Sequence, residues 1–154
     1  MSNYASASHS ITFNKVDITE GYLGASLSME GDLQQLDIDL LGNGCWSQLA
    51  DQSATFTVTY RQNAKSLETI DSWASGMQAV GSNFNVPFQG LLQHVDPVGG
   101  QSFIGFNAAI TNTGDREWAE AVGERTVTWR ITRCIQTNNP LDVLAQSTKY
   151  IQTF

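Results

Sequence analysis

ATFTVTY, the sequence at residues 54–60, alternates without interruption between small or large apolar side chains and threonines. Successive side chains of a β-strand point to opposite faces of a sheet, so this pattern predicts a strand with one buried and one wet face. Its β-branched and aromatic residues are those that fit a pleated, half-buried surface. The stretch therefore indicates a domain built on antiparallel sheet.

A second alternating stretch, QLDIDL, occupies residues 35–40. We expect its two sets of side chains to face opposite ways, the apolar set in the core and the polar set in water: Leu36, Ile38 and Leu40 against Gln35, Asp37 and Asp39.

The remaining chain reads mostly as strands around one helix. Asn14-Lys15 looks like a two-residue hairpin turn, and further strands are predicted near residues 24–29, 84–95, 102–111 and 125–133. A helix is predicted between a capping Asn63 and Gly81, and a short one at residues 116–122. Residues 41–52 have no period and are predicted to be a loop.

These elements predict an α+β, mainly β domain: an antiparallel β-barrel or sandwich with one flanking α-helix. At 154 residues the chain fits a single domain over 1–154, with 1–9 and 134–154 as terminal extensions. The polar start is no secretory signal and no apolar run is long enough for a membrane helix, so we expect a protein made in a cytoplasm, with no membrane partner.

Charge and cysteine content restrict the kinds of partner and the compartment that we expect for this protein. Acidic residues outnumber basic ones 15 to 8, for a net charge of −7, so specific or non-specific retention of nucleic acid is not expected. Cys45 and Cys134 are far apart and are expected to be buried thiols in a reducing compartment, with a disulfide between them as the alternative.

The sequence shows no constellation for catalysis. His9 and His94 have no neighbouring His, Cys or carboxylate at ligand spacing, and no glycine pair is followed by a phosphate-binding lysine. We therefore expect no enzyme activity, no metal and no cofactor. Two of the four tryptophans, Trp73 and Trp129, are predicted to belong to the core. Trp46 and Trp118 lie in or next to predicted loops, where they could form a sugar-binding platform or anchor a protein interface.

Three segments of the sequence resemble a known family: HSITFNKVDIT at residues 9–19, TGDREWAE at residues 113–120 and RTVTWR at residues 125–130. Together with the helix between them, they resemble the opening hairpin and the closing segment of tail tube proteins from long-tailed, contractile bacteriophages. The resemblance covers most of residues 9–133 and does not extend to the C-terminal tail.

The resemblance implies a virion structural protein. Subunits of this family form stacked hexameric rings whose sheets line a channel, DNA transits the channel during ejection without specific binding, and tail sheath and baseplate proteins are further partners. The expected location is the virion tail, after assembly in the host cytoplasm. Tubes of type VI secretion or bacteriocin particles share the fold and remain an alternative, as does a carbohydrate-binding β-sandwich that uses Trp46 or Trp118.

Two sets of site residues follow. An acidic channel would release DNA, which suggests that Gln35, Asp37 and Asp39 line the lumen, although they could equally be the wet face of a half-buried strand. Long ordered loops are usually functional, so residues 41–52 are expected to contact a neighbouring subunit, unless Trp46 folds back as a lid on its own core. The expected interface residues are Cys45, Trp46, Leu49 and Trp118.

Overall fold

The structure is a computed structural model that describes residues 9–80, 89–96 and 101–137. Its elements in chain order are β1 (Ser10–Phe13), β2 (Val16–Asp17), β3 (Tyr22–Met29), β4 (Gln34–Ile38), β5 (Gly44–Gln48), β6 (Ala54–Arg61), α1 (Lys65–Val80), β7 (Gly90–Val95), β8 (Ser102–Asn112) and β9 (Glu124–Thr137).

The strands form one large antiparallel sheet and one separate hairpin. The large sheet has seven strands in the order β2-β1-β7-β8-β9-β6-β3, and β4 pairs only with β5. The predicted mainly β architecture with a single helix is thus confirmed for the described residues. The sheet is not a closed barrel, because its edge strands β2 and β3 are not paired with each other in this part of the chain.

The sheet curls around its core, as ring contacts between distant strands show. Phe13 of β1 lies 4.7 Å from Trp129 of β9 between ring centroids, although β7 and β8 separate these strands in the sheet. Helix α1 covers the same core: Leu67 and Ile70 are buried, and Trp73 packs 5.3 Å from Phe13. The core predictions for Trp73 and Trp129 are therefore confirmed.

The alternation at residues 54–60 produces the faces it predicts. Phe56, Val58 and Tyr60 are buried, while Thr55 and Thr57 lie on the opposite, partly exposed face. The turn prediction is also confirmed, since the backbone of Asn14 and Lys15 takes positive φ angles of 51° and 68° between β1 and β2. Positive φ at both central residues matches a type I′ turn, whose twist suits a two-residue hairpin.

Several boundaries differ from the sequence predictions. Residues 41–52 are not a loop throughout, because they contain strand β5. Residues 116–122 contain no helix. Helix α1 begins at Lys65, two residues after Asn63, and β9 runs to Thr137, beyond the predicted start of the C-terminal extension at residue 134. The strand predicted at 84–95 is β7, whereas residues 81–88 and 138–154 lie outside the described part.

An ion pair ties the helix to the sheet. The guanidinium of Arg125, 4% exposed, donates to both carboxylate oxygens of Asp71 on α1. Arg116 reaches the same carboxylate, 3.5 Å from Nη2 to Oδ2. The clamp therefore joins α1, β9 and the segment before β9 through one carboxylate.

Candidate subunit interface

The β4–β5 hairpin, residues 34–48, has two chemically different faces. Leu36 lies opposite Trp46 in the antiparallel register, and Asp37 lies opposite Cys45. Because side chains alternate along each strand, Leu36, Ile38 and Trp46 share one face, whereas Asp37 and Cys45 occupy the other. One face of the hairpin is therefore apolar and the opposite face is polar.

Both faces of this hairpin are exposed. Every residue of its two strands is exposed, including Trp46 at 65% and Leu36 at 42%. Ile38 and Leu40 are exposed too, so the prediction that Leu36, Ile38 and Leu40 pack in the core is wrong. The alternation correctly separates the two faces, but the described residues supply no cover for the apolar one.

The hairpin ends in a turn fixed by one carboxylate. Oδ1 of Asp39 accepts hydrogen bonds from the backbone N–H of Leu41 at 2.9 Å and of Asn43 at 2.8 Å. The hydrogen bonds that Asn43 donates are the main cause of a lowered pKa for the Asp39 carboxyl, as expected for a carboxylate that accepts backbone donors. Asp39 therefore stabilises the turn, whereas Gln35 and Asp37 lie on the polar face, 3.2 Å apart between Nε2 and Oδ1.

The predicted interface residues are not all brought together. Trp46 belongs to strand β5 and faces the apolar side, while Cys45 faces the polar side with Asp37. Cys45 is exposed, so the expectation of a buried thiol is wrong for Cys45, whereas Cys134 is buried. Leu49 lies at the base of the hairpin, where its N–H donates to the carbonyl of Leu33 at 3.2 Å. The suggestion that Trp46 is a lid on its own core does not agree with its exposure.

Trp118 lies in a separate loop, residues 113–123. Gln62 anchors this loop twice: its side-chain Nε2 donates to the carbonyl of Glu117 at 2.6 Å, and its N–H donates to the carbonyl of Gly123 at 3.0 Å. Between these anchors Trp118 is 87% exposed and Val122 is exposed as well. A tethered backbone thus presents a second apolar surface.

Strand β3 is an unprotected sheet edge. It pairs with β6 on one side, and its other side has no partner strand among the described residues. Its sequence, YLGASLSM, contains none of the lysines or prolines that usually prevent edge-to-edge pairing. Such an edge can accept a strand from another chain.

Sequence reasoning missed one polar cluster. Nδ1 of His9 lies 3.1 Å from Nε2 of His94, and Nε2 of His9 lies 3.4 Å from Oδ2 of the buried Asp96. Burial, followed by the charge of His9, lowers the pKa of His94 to about 4. The two histidines are 85 residues apart in the chain, so only the pairing of β1 with β7 shows that they meet.

Within the described ranges, no group of three or more His, Cys, Asp or Glu side chains is arranged to hold a metal ion. In the same ranges no helix is long and apolar enough to cross a membrane.

Comparison with known proteins gives matches in structure and none in sequence. No protein-family model matches the chain, and no curated protein matches it significantly. The sheath/tube terminator structure of the PVC extracellular contractile injection system has a chain with a TM-score of 0.64 at 14% identity, over 88% of this chain and 97% of that one.

Two further structures share the fold. A chain of the anti-feeding prophage tube-terminating cap gives a TM-score of 0.58 at 11% identity, over 88% of this chain and 91% of that one. A chain of the PVC sheath–tube complex gives 0.55 at 14% identity, over 83% and 86%. At these identities the likeness establishes the fold.

Proposed function

We propose that this protein is a tube or tube-terminator subunit of a contractile, phage-tail-like particle, and that copies of it form stacked hexameric rings around a channel. The observation that carries the proposal is the β4–β5 hairpin, whose apolar face is exposed in the single chain. An apolar strand face in water indicates an interaction surface. The shared fold with tube terminator and cap structures supports the choice of a second copy as the occupant.

The exposed patches suit a ring. A ring requires a heterologous contact, in which two different surfaces of the same chain meet. This chain offers the hairpin, the 113–123 loop and the open edge of β3 as distinct surfaces. We assign Trp46 and Trp118 as anchors in these contacts, with Leu49 at the base of the hairpin and Cys45 at the margin.

Charge supports a channel that does not retain DNA. No lysine or arginine occurs between residues 16 and 60, and the polar face of the hairpin carries Asp37. Burying the apolar face against a neighbour leaves the opposite face wet, and we propose that Gln35 and Asp37 border the lumen there, with Asp39 in the adjoining turn. Acidic groups repel phosphates and would not slow transiting DNA.

The first candidate is the tail tube of a bacteriophage. Its partners would then be sheath and baseplate proteins, its location the virion tail and its place of assembly the host cytoplasm. The second is the tube of an injection particle that carries no genome, which the fold shared with extracellular injection-system proteins favours. Nuclease-protected DNA in purified particles that contain this protein would separate the first from the second.

Negative-stain electron microscopy of the purified protein over a concentration series tests the central claim. We expect rings or hollow tubes above a threshold concentration. A protein that remains monomeric at every concentration by light scattering, with no rings in the images, would overturn the proposal.

A further inference from the structure

The outer surface of β3, β6 and β9 is covered with hydroxyl groups. In register across the three strands, Ser26 lies beside Thr57 and Thr57 beside Thr128, and the next row places Thr59 beside Thr126. The members of this hydroxyl face are Ser26, Ser28, Thr55, Thr57, Thr59, Thr126 and Thr128.

Lateral hydrogen bonds order these side chains. The hydroxyl oxygens of Ser26 and Thr57 lie 2.6 Å apart, and those of Thr59 and Thr126 lie 3.2 Å apart. Threonine has few χ1 rotamers, so a hydroxyl in such a row is held in place and keeps its remaining hydrogen-bonding capacity for water.

The hydroxyl face has no net charge, in a chain whose net charge is −7. At one end Arg130 pairs with Glu30, 3.1 Å from Nη1 to Oε1. At the other end Arg61 lies opposite Glu124 in the register of β6 and β9. The charged side chains therefore lie at the two ends of the face, and only hydroxyls lie between them.

This chemistry fits neither a dry contact nor an ordinary solvent surface. Buried interface centres are apolar and rich in aromatic residues, whereas the outward side chains of this face are polar. Surfaces in bulk solvent usually carry many charges, as the 113–123 loop does with Asp115, Glu117 and Glu120. A neutral, ordered, hydrated surface is suited to confined water.

We infer that the hydroxyl face forms the channel wall between successive rings of acidic hairpins, and that this wall has no net fixed charge. The inference rests on the proposed function, because a channel exists only if the chain forms a tube. Such a wall attracts neither anionic nor cationic polymers, so passage along it is limited by cross-section, and fixed charge acts on the cargo only at the hairpin rings.

Cysteine labelling of assembled tubes tests the inference. The native thiols stay in place: Cys45 is exposed and Cys134 is buried, and mass spectrometry of proteolytic peptides reads the labelling of each cysteine separately. Thr57→Cys and Thr128→Cys, made separately in the otherwise wild-type chain, place a reporter on the wall, and Glu68→Cys on the exposed side of α1 is the matched control. The probes are a cationic and an anionic methanethiosulfonate of similar size, and a maleimide–polyethylene glycol too large to enter the channel.

We expect both wall reporters to react with the small reagents and to be protected from the polymer, while the control reacts with all three. The rate ratio of cationic to anionic reagent should match, within about twofold, the ratio for a small free thiol in the same buffer. A wall potential of one kT would change that ratio by about sevenfold, because the two reagents respond oppositely. In wild-type tubes Cys45, beside Asp37, should favour the cation.

The possible outcomes distinguish failure of this inference from failure of the proposed function on which it rests. If the wild-type protein forms no tubes, the proposed function fails. If tubes form and the polymer labels either wall reporter, or no reagent does, the face is external or a dry contact and the inference is wrong. A cation preference of sevenfold or more at both wall positions overturns the neutral wall. Two reporters on different strands guard against one that prevents assembly.

Discussion

Leu36 and Trp46 face each other across the β4–β5 hairpin, and both remain exposed, at 42% and 65%. A cross-strand aromatic–aliphatic pair normally stabilises a sheet by burying apolar area on a core. Here the pair lies on a face that the described chain leaves open. The hairpin therefore presents a preformed apolar surface, which we propose contacts a second copy of the chain.

Replacing Trp46 by alanine should weaken assembly without unfolding the subunit. A central aromatic anchor contributes about 2 kcal/mol or more to association, which corresponds to a roughly thirtyfold rise in the threshold concentration for tubes. Light scattering measures the threshold, and thermal unfolding of the monomer should be unchanged. Ser47→Ala on the opposite face is the control and should assemble as wild type; a Trp46→Ala protein that assembles normally would contradict the interface role.

Replacing Trp118 by alanine tests the second surface. Its side chain is 87% exposed, so the melting temperature of the monomer should be unaffected. If the 113–123 loop contacts a neighbour, the threshold for assembly should rise by about tenfold or more, since interface hot spots are enriched in tryptophan. Gln62→Ala removes the side-chain anchor of the loop but keeps the backbone hydrogen bond to Gly123 and the indole, so it should weaken assembly less than Trp118→Ala.

Replacing Asp71 by asparagine should destabilise the fold. Arg125 is 4% exposed, and removing its carboxylate partner leaves a buried, uncompensated charge. Breaking such a pair costs about 3 kcal/mol. Urea unfolding of Asp71→Asn and of Glu68→Gln, an exposed acidic residue of the same helix, provides the comparison. The control should lose less than about 1 kcal/mol, because only its interaction with the helix dipole changes.

The stability of the folded protein should depend on His94 in weakly acidic solution. Burial lowers the pKa of His94 from 6.5 to about 4, so the folded state binds fewer protons than the unfolded chain between these values. Stability therefore falls as the pH drops from about 6.5 to 4, by an amount on the order of 2 kcal/mol from this group.

Protonation of carboxylates also makes the free energy of unfolding depend on pH, and His9 and Asp96 face the His94 ring. The informative quantity is therefore the difference in this pH dependence between wild type and a His94 variant. In denaturant unfolding across this pH range, the free energy of unfolding should change less steeply with pH in His94→Gln than in wild type. Equal slopes in the two proteins would show that His94 is not held neutral by the fold.

The sequence predicts which side chains share a strand face more reliably than it predicts what packs against that face. At residues 54–60 a two-residue period gives the buried and exposed sides of β6 correctly, because alternation is a local property of any strand. At residues 35–40 the same period separates Leu36 from Asp37 correctly, but the core assignment of Leu36 is wrong. A strand that buries its apolar face on its own core and one that buries it on a neighbour can have the same sequence.

Other features depend on distant register or on short strands. β5 contains Gly44 and has only one large apolar residue, Trp46, so no alternation marks it as a strand. The meeting of His9 with His94 depends on the pairing of β1 with β7, which no local pattern in the sequence specifies. The hydroxyl face likewise emerges only once β3, β6 and β9 are placed side by side.

The separation of the β4–β5 hairpin from the core affects how this protein can evolve. No residue of the hairpin belongs to the buried cluster of the described chain, so substitutions there are not constrained by the need to fold. If the hairpin contacts a neighbouring copy as proposed, mutations there can alter which partner is recognised while the seven-stranded sheet is maintained by separate selection on its core. Divergent lineages can therefore keep this scaffold while their assembly specificities drift apart, and compensating changes should occur in the surface that receives the hairpin.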